Sequence, residues 1–230
     1  MPHAGYPYSA QCAAWAFAEV ADDGRPEAAV LLGVNHRGLG APLALSPATG
    51  WATPLGIMPV DQALGTRLRA LDPAVVADAR AHAQEHSLEV QVPFLQWLFQ
   101  ELPILPLAIG WASAQEVFRL GHALAELARE HDLLLIASTD FSHYIPQAEA
   151  EQLDKQALER IAAVDAEGLL RVVRDQGITM CGVLPVAAVL VAASLSGVQE
   201  GRILHYHTSG DVTGDRREVV GYGAVALYCS

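Results

Sequence analysis

Five apolar runs of strand length, separated by stretches of helical character, constrain this chain more than any other feature. They occupy 28–34 (AAVLLGV), 103–109 (PILPLAI), 132–138 (DLLLIAS), 202–208 (RILHYHT) and 218–228 (EVVGYGAVALY). The first three have almost no polar alternation, so they need cover on both faces. The cover is at hand. Ser9 is placed to cap a helix through AQCAAWAFAEV, and Ser113 with Glu116 forms a capping-box pattern ahead of VFRLGHALAELARE. A further helix follows Ser87, where Pro93 would remove one backbone donor and bend it. Two helices cover roughly 148–175, and another begins near Cys181. Segment 39–60, rich in Gly, Pro and Ala, reads as a loop or small hairpin. Strands alternating with helices predict an α/β fold, a single-domain α/β/α sandwich with a mixed, largely parallel central sheet. At 230 residues and 52% hydrophobic, the chain can bury one large core, and a single domain over 1–230 is expected.

A net charge of −12 argues against nucleic acid or an anionic membrane as partner, since the basic surface that neutralises phosphate is missing. The most apolar stretch, GVLPVAAVLVAASL, is too short to span a bilayer and fits a buried helix. No basic region precedes an apolar core at the start, so no signal peptide is read there and a cytoplasmic location is expected. Cys12, Cys181 and Cys229 lack CxxC spacing, which leaves any cysteine chemistry to a single thiol. There is no GxSxG elbow and no Walker A loop, and GVNHRGLG lacks the spacing of a dinucleotide fingerprint.

The reactive side chains gather at the ends of these runs. GVNHRG puts Asn35 and His36 just beyond the run 28–34, and STDFSH puts Asp140 and His143 just beyond 132–138. Open α/β sheets bind ligands beyond strand C-termini. TMCGVLP puts Cys181 at a helix start, where the dipole favours a thiolate, and EHSLEVQ adds Glu85, His86 and Glu89. Each turn alone also reads as ordinary structure: a cap, a satisfied histidine, an inert thiol. His205 and His207 alternate on a strand and share a face, which makes them a rival pair, with Ser209, Gly210 and Asp211 in a turn beside them. His82 and His86 stand four apart but lack the zincin glutamate, and His122 and His131 read as structural. Cys181 beside a histidine would also suit thiol catalysis.

In order along the chain, PHAGYPYS, GVNHRG, EHSLEVQVPFL, STDFSHY, CGVLPV, YHTSGDVTGD and VVGYGAVAL together resemble the Memo family, the protein B of the AmmeMemoRadiSam group. The likeness spans nearly the whole chain. It implies a fold similar to the class III extradiol dioxygenases (LigB-like) and a mononuclear metal site. Carried over, it makes His3, His36 and Cys181 the ligands of one divalent or redox metal ion. Iron or copper is favoured, and zinc is compatible with the donors. Asp140 and His143 would serve catalysis, with Asp140 fixing the tautomer of a His143 acid or base. His86, Glu85, Tyr6 and Asn35 would line the pocket.

Two departures from that pattern carry consequences. The family's segment and strand leading into the first histidine have no counterpart before Met1. Cys181 stands where the dioxygenases carry a carboxylate, so ring cleavage does not follow from the fold. Three readings stay open: a metal-dependent oxidoreductase acting on a small molecule, a non-catalytic module for a peptide or other partner that uses Tyr6, Tyr8 and Tyr144, and a copper- or iron-handling protein.

Overall fold

The computed structural model describes residues 1–229 of the chain. Its strands are β1 (Ala28–Val34), β2 (Leu43–Leu45), β3 (Gly50–Thr53), β4 (Gly56–Pro59), β5 (Val76–Ala77), β6 (Ile104–Ile109), β7 (Leu133–Ala137), β8 (His143–Ile145), β9 (Gly201–Thr208) and β10 (Val219–Leu227). Its helices are α1 (Tyr6–Asp23), α2 (Gln62–Leu71), α3 (Val92–Phe99), α4 (Ala114–Glu130), α5 (Gln147–Ala162), α6 (Ala166–Gln176), α7 (Val183–Leu195) and the single-turn α8 (Ser209–Thr213).

β1 lies between β6 and β7, parallel to both, in a five-stranded sheet of order β5-β2-β6-β1-β7. Only the β2–β6 pairing is antiparallel, so the sheet is mixed and largely parallel. The all-apolar sequence of β1 explains its central place. Val30 and Leu32 face a core shared with α2, α4 and α7, whereas Ala29 and Leu31 face a second core with Ala13 and Phe17 of α1 and Val92 and Leu95 of α3. Each fully buried Leu or Val contributes about 1.5–3 kcal/mol, which a strand with one polar face would forfeit. Gly121 lets α4 approach α7 closely, because a Cβ there would lie 2.5 Å from Val191.

The capping box at α4 is present: Ser113 Oγ accepts from the Glu116 N–H and the Glu116 carboxylate accepts from the Ser113 N–H. Elsewhere the local signals shift. α1 starts at Tyr6, ahead of Ser9, because Pro7 supplies a preset φ in the first turn; Ser9 Oγ instead donates to the Ala4 carbonyl at 2.7 Å. Pro93 does not bend its helix. It sits in the first turn of α3, where a missing N–H costs nothing, and a 3-10 turn over Glu89–Gln91 precedes it. Segment 39–60 does hold the β3–β4 hairpin, but it also sends β2 into the central sheet. Residues 209–213 form α8, a helical turn capped by Thr208 and Asp211.

The two long C-terminal strands leave the central sheet. β9 and β10 pair antiparallel with each other, and β8 joins the start of β10, in a second sheet of order β8-β10-β9. The short connection 209–218 closes a hairpin but could not carry a parallel crossover. Among the described residues no helix is long and apolar enough to cross a membrane.

Candidate metal centre

The site forms where β1 and β7 end. The Met1 amine donates to the Ala137 carbonyl at 2.9 Å and the Thr139 N–H donates to the Met1 carbonyl at 2.8 Å, so the chain start runs alongside the end of β7. That places His3 over the turn 138–140. Its backbone N–H donates to Asp140 Oδ1 at 2.8 Å, and its Nδ1 lies 3.0 Å from Ser138 Oγ. His3 is buried, and burial, followed by the neighbouring His36 and His86, holds its imidazole well below the usual histidine range.

His36 comes one turn after β1 and is held by Glu85. The His36 N–H and Nδ1–H reach the two carboxylate oxygens at 2.6 and 2.8 Å, while Oε1 also accepts from the N–H groups of His86 and Ser87. Burial would raise the Glu85 carboxyl, but these hydrogen bonds win and hold it at about 2. His36 is pushed up to about 10, first by Cys181 and then by Glu85. With Nδ1–H committed to a carboxylate, Nε2 is the atom left to a ligand, and a metal ion would bind there by displacing its proton, the arrangement of a carboxylate-backed metal histidine.

Cys181 arrives from the other side, on the turn before α7. Gly182 permits the approach: a Cβ there would lie 2.5 Å from both the Ser138 carbonyl oxygen and Thr139 Cβ. The Gly182 N–H donates to Thr139 Oγ1 at 2.9 Å and the Asp140 N–H donates to Cys181 Sγ at 3.2 Å, which fixes the sulfur.

Three donors drawn from residues 3, 36 and 181 therefore converge, with ligand atoms all within 4.8 Å of one another. Cys181 Sγ lies 3.4 Å from His3 Nε2. The edge of a tetrahedral site with ~2.3 Å metal–sulfur and ~2.1 Å metal–nitrogen bonds is about 3.6 Å, so the residues fit a metal ion. Asp140 Oδ2 stands 3.9 Å from His3 Nε2. His86 stacks on His36 with ring centroids 4.9 Å apart and forms a second, overlapping donor group with His36 and Glu85. Because Glu85 is already saturated by four hydrogen bonds, that group acts first as support for His36.

The family model described as Memo-like protein matches residues 1–226. The chain belongs to the Memo-like family. It is 42% identical over 229 residues to a MEMO1 family protein of Methanopyrus kandleri, with 98% of this chain and 81% of the relative covered. It is also 42% identical over 223 residues to one from Methanothermobacter thermautotrophicus, with 96% and 80% covered. Among solved structures, an uncharacterized protein of Escherichia coli matches with a TM-score of 0.65 at 20% identity, covering 90% of this chain and 91% of that one, a likeness of fold.

The other residues singled out in the sequence are dispersed around this Memo-like centre. His143, on β8, does not take its orientation from Asp140: its Nδ1 faces the Thr179 carbonyl at 2.9 Å and its backbone N–H donates to Thr179 Oγ1. Asp140 Oδ1 is occupied by the His3 N–H, and its carboxylate feels His143 as a neighbouring charge. Burial raises the Asp140 carboxyl despite N–H donation from His3 and Ala4. Tyr6 is half-exposed and donates to the Val90 carbonyl, while Asn35 Nδ2 donates to the Leu39 carbonyl. His205 stacks on Trp15 and lies 5.3 Å from the His207 ring, outside the groups of converging donors, and His207 Nε2 lies 2.9 Å from the Tyr8 carbonyl. His82 caps a 3-10 turn and bonds to the Ala44 carbonyl, so no helix face joins it to His86. Thr179, Ser138 and Gln91 were missed as supports. All three stand within or beside quoted motifs, but nothing in their spacing marks a histidine partner.

Proposed function

We propose that this Memo-like protein binds one divalent or redox metal ion through His3 Nε2, His36 Nε2 and Cys181 Sγ and serves as a metal-dependent oxidoreductase acting on a small molecule. The observation that carries this reading is the convergence of two backed imidazoles and one thiol from three distant turns. Two imidazoles with a thiolate suit iron or copper and accept zinc. A bound redox metal would supply one-electron chemistry and an open coordination position, which three protein donors leave free.

The surrounding residues have definable tasks. The His36 and His86 side chains are 30% and 55% exposed, so a small ligand would enter from their side of the site. The Thr179 carbonyl accepts only, so His143 carries its proton on Nδ1 and can accept another at Nε2, as a general base requires. Asp140, buried against the same turn, holds the His3 backbone rather than a substrate proton.

Elemental analysis of protein purified without oxygen, wild type against His36→Ala, tests the site. Near-stoichiometric iron or copper in the wild type, lost in the variant, is the expected result, and O₂ consumption with a panel of small aromatic and aliphatic reductants tests the activity. Absence of metal after reconstitution with iron, copper and zinc would overturn the reading, whereas bound metal without any turnover would leave a metal carrier.

A further inference from the structure

Gln91 and Ser138 take no part in the chemistry above, yet both are buried beneath His3. Their hydrogen atoms can be assigned one by one. The Pro2 carbonyl accepts only, and it lies 2.8 Å from Gln91 Nε2, which fixes the orientation of that amide. The second Nε2 hydrogen then goes to Ser138 Oγ at 3.0 Å. The Ser87 carbonyl also accepts only, and it takes the single Ser138 hydroxyl hydrogen at 2.6 Å. Ser138 Oγ therefore has no hydrogen left for His3, whose Nδ1 lies 3.0 Å away. The ring nitrogen must be the donor.

We infer that Ser138 locks His3 in its Nδ1–H tautomer and so turns the Nε2 lone pair toward Cys181, with Gln91 as the positioning residue that holds Ser138 and Pro2 in place. The inference rests on the metal-site reading for its purpose, though the tautomer itself is a property of the metal-free protein. Gln91 grips His3 at two places, the carbonyl of the preceding Pro2 and, through Ser138, the ring. The lock on His3 consists of uncharged groups, unlike the Glu85 carboxylate behind His36. The two imidazoles are thus oriented by independent means, and one can be disturbed without the other. Gln91 Oε1 is buried without a partner, a desolvation penalty that packing alone does not call for.

The test is nitrogen-15 NMR of the histidine rings in metal-free protein, followed by zinc titration. Wild-type His3 is expected with its proton on Nδ1. In Ser138→Ala that preference is lost and zinc binding weakens 10–100-fold, as for other partners behind a metal ligand, while the His36 resonances stay in place. Ser138→Thr keeps the hydroxyl and restores both. Gln91→Leu removes the donor that holds Ser138 Oγ and the Pro2 carbonyl but leaves the Ser138 hydroxyl on the Ser87 carbonyl, so it keeps the Nδ1–H tautomer while zinc binding weakens, and its melting temperature serves as the control for folding. A wild-type His3 with its proton on Nε2, or an unchanged tautomer in Ser138→Ala, would overturn the inference. Failure of zinc, copper and iron to bind a protein whose His3 shows the Nδ1–H tautomer would instead overturn the metal-site reading alone.

Discussion

Cys181 Sγ sits 3.4 Å from His3 Nε2 although 178 residues separate them. The contact exists because the end of β7 is shared: His3 bonds to the Asp140 carboxylate, and Asp140 in turn donates its backbone N–H to the sulfur. One turn thus serves two donors from opposite ends of the chain.

Replacing Cys181 by serine is expected to abolish tight metal binding, because a hard, neutral hydroxyl substitutes for a soft thiolate. The loss should exceed the 10–100-fold typical of residues behind a ligand. Cys181 is half-buried and caps nothing by its side chain, so the metal-free melting temperature should stay within a few degrees. Metal content by mass spectrometry, alongside a thermal melt, checks both points.

Glu85→Gln tests the support of His36. The carboxylate collects four hydrogen bonds, and an amide of the same shape must turn a donor toward at least one of them. Metal affinity should fall by about 10–100-fold. Isothermal titration with zinc reads the loss, and unchanged affinity would remove Glu85 as the orienting group.

Asp154 anchors the far side of the same turn. Its Oδ1 accepts the Ser142 N–H and hydroxyl at 3.0 and 2.6 Å in the interior, and its Oδ2 accepts the hydroxyl of the part-buried Tyr206 at 2.7 Å. Asp154→Ala leaves two buried donors and one part-buried donor without an acceptor and should cost about 3 kcal/mol. Asp154→Asn keeps an acceptor and should cost less. Urea unfolding of the two variants measures the difference.

Acid should loosen the loop that follows His36. Asp78 accepts from the Ala41 and Arg80 N–H groups and from the Arg80 guanidinium, which holds its carboxyl down at about 2, with Arg80 the main cause. A carboxyl lowered on folding stabilises the folded state above its unfolded pKa and loses that contribution as pH falls through the folded one. The Asp78 contribution is therefore complete above about pH 4 and declines toward pH 2. Asp78→Asn should be less stable than wild type at neutral pH, with the gap closing over that interval in acid-dependent thermal melts.

Much of the fold is legible in the chain because its signals are local. The unbroken apolar sequence of β1 can only lie inside a covered sheet, and Ser113 with Glu116 marks the start of α4 through bonds made within one turn. The misplaced features all depend on competition between local signals. Ser9 looks like a cap until Pro7 starts the helix earlier, and Pro93 looks like a kink until the preceding 3-10 turn moves the helix start to meet it. Pairing of β9 with β10 instead of with the central sheet is a choice among distant partners, and apolar sequence does not distinguish them.

By itself the sequence determined the residue types of the site, their places at element ends and the α/β alternation that delivers them, since these follow from periodicity and turn chemistry. Tertiary structure alone decided their partners. His143 turns to Thr179, Asp140 to His3, and His36 to Glu85, because hydrogen-bond partners are set by which backbones pack together, and that packing is fixed by the burial of the whole core.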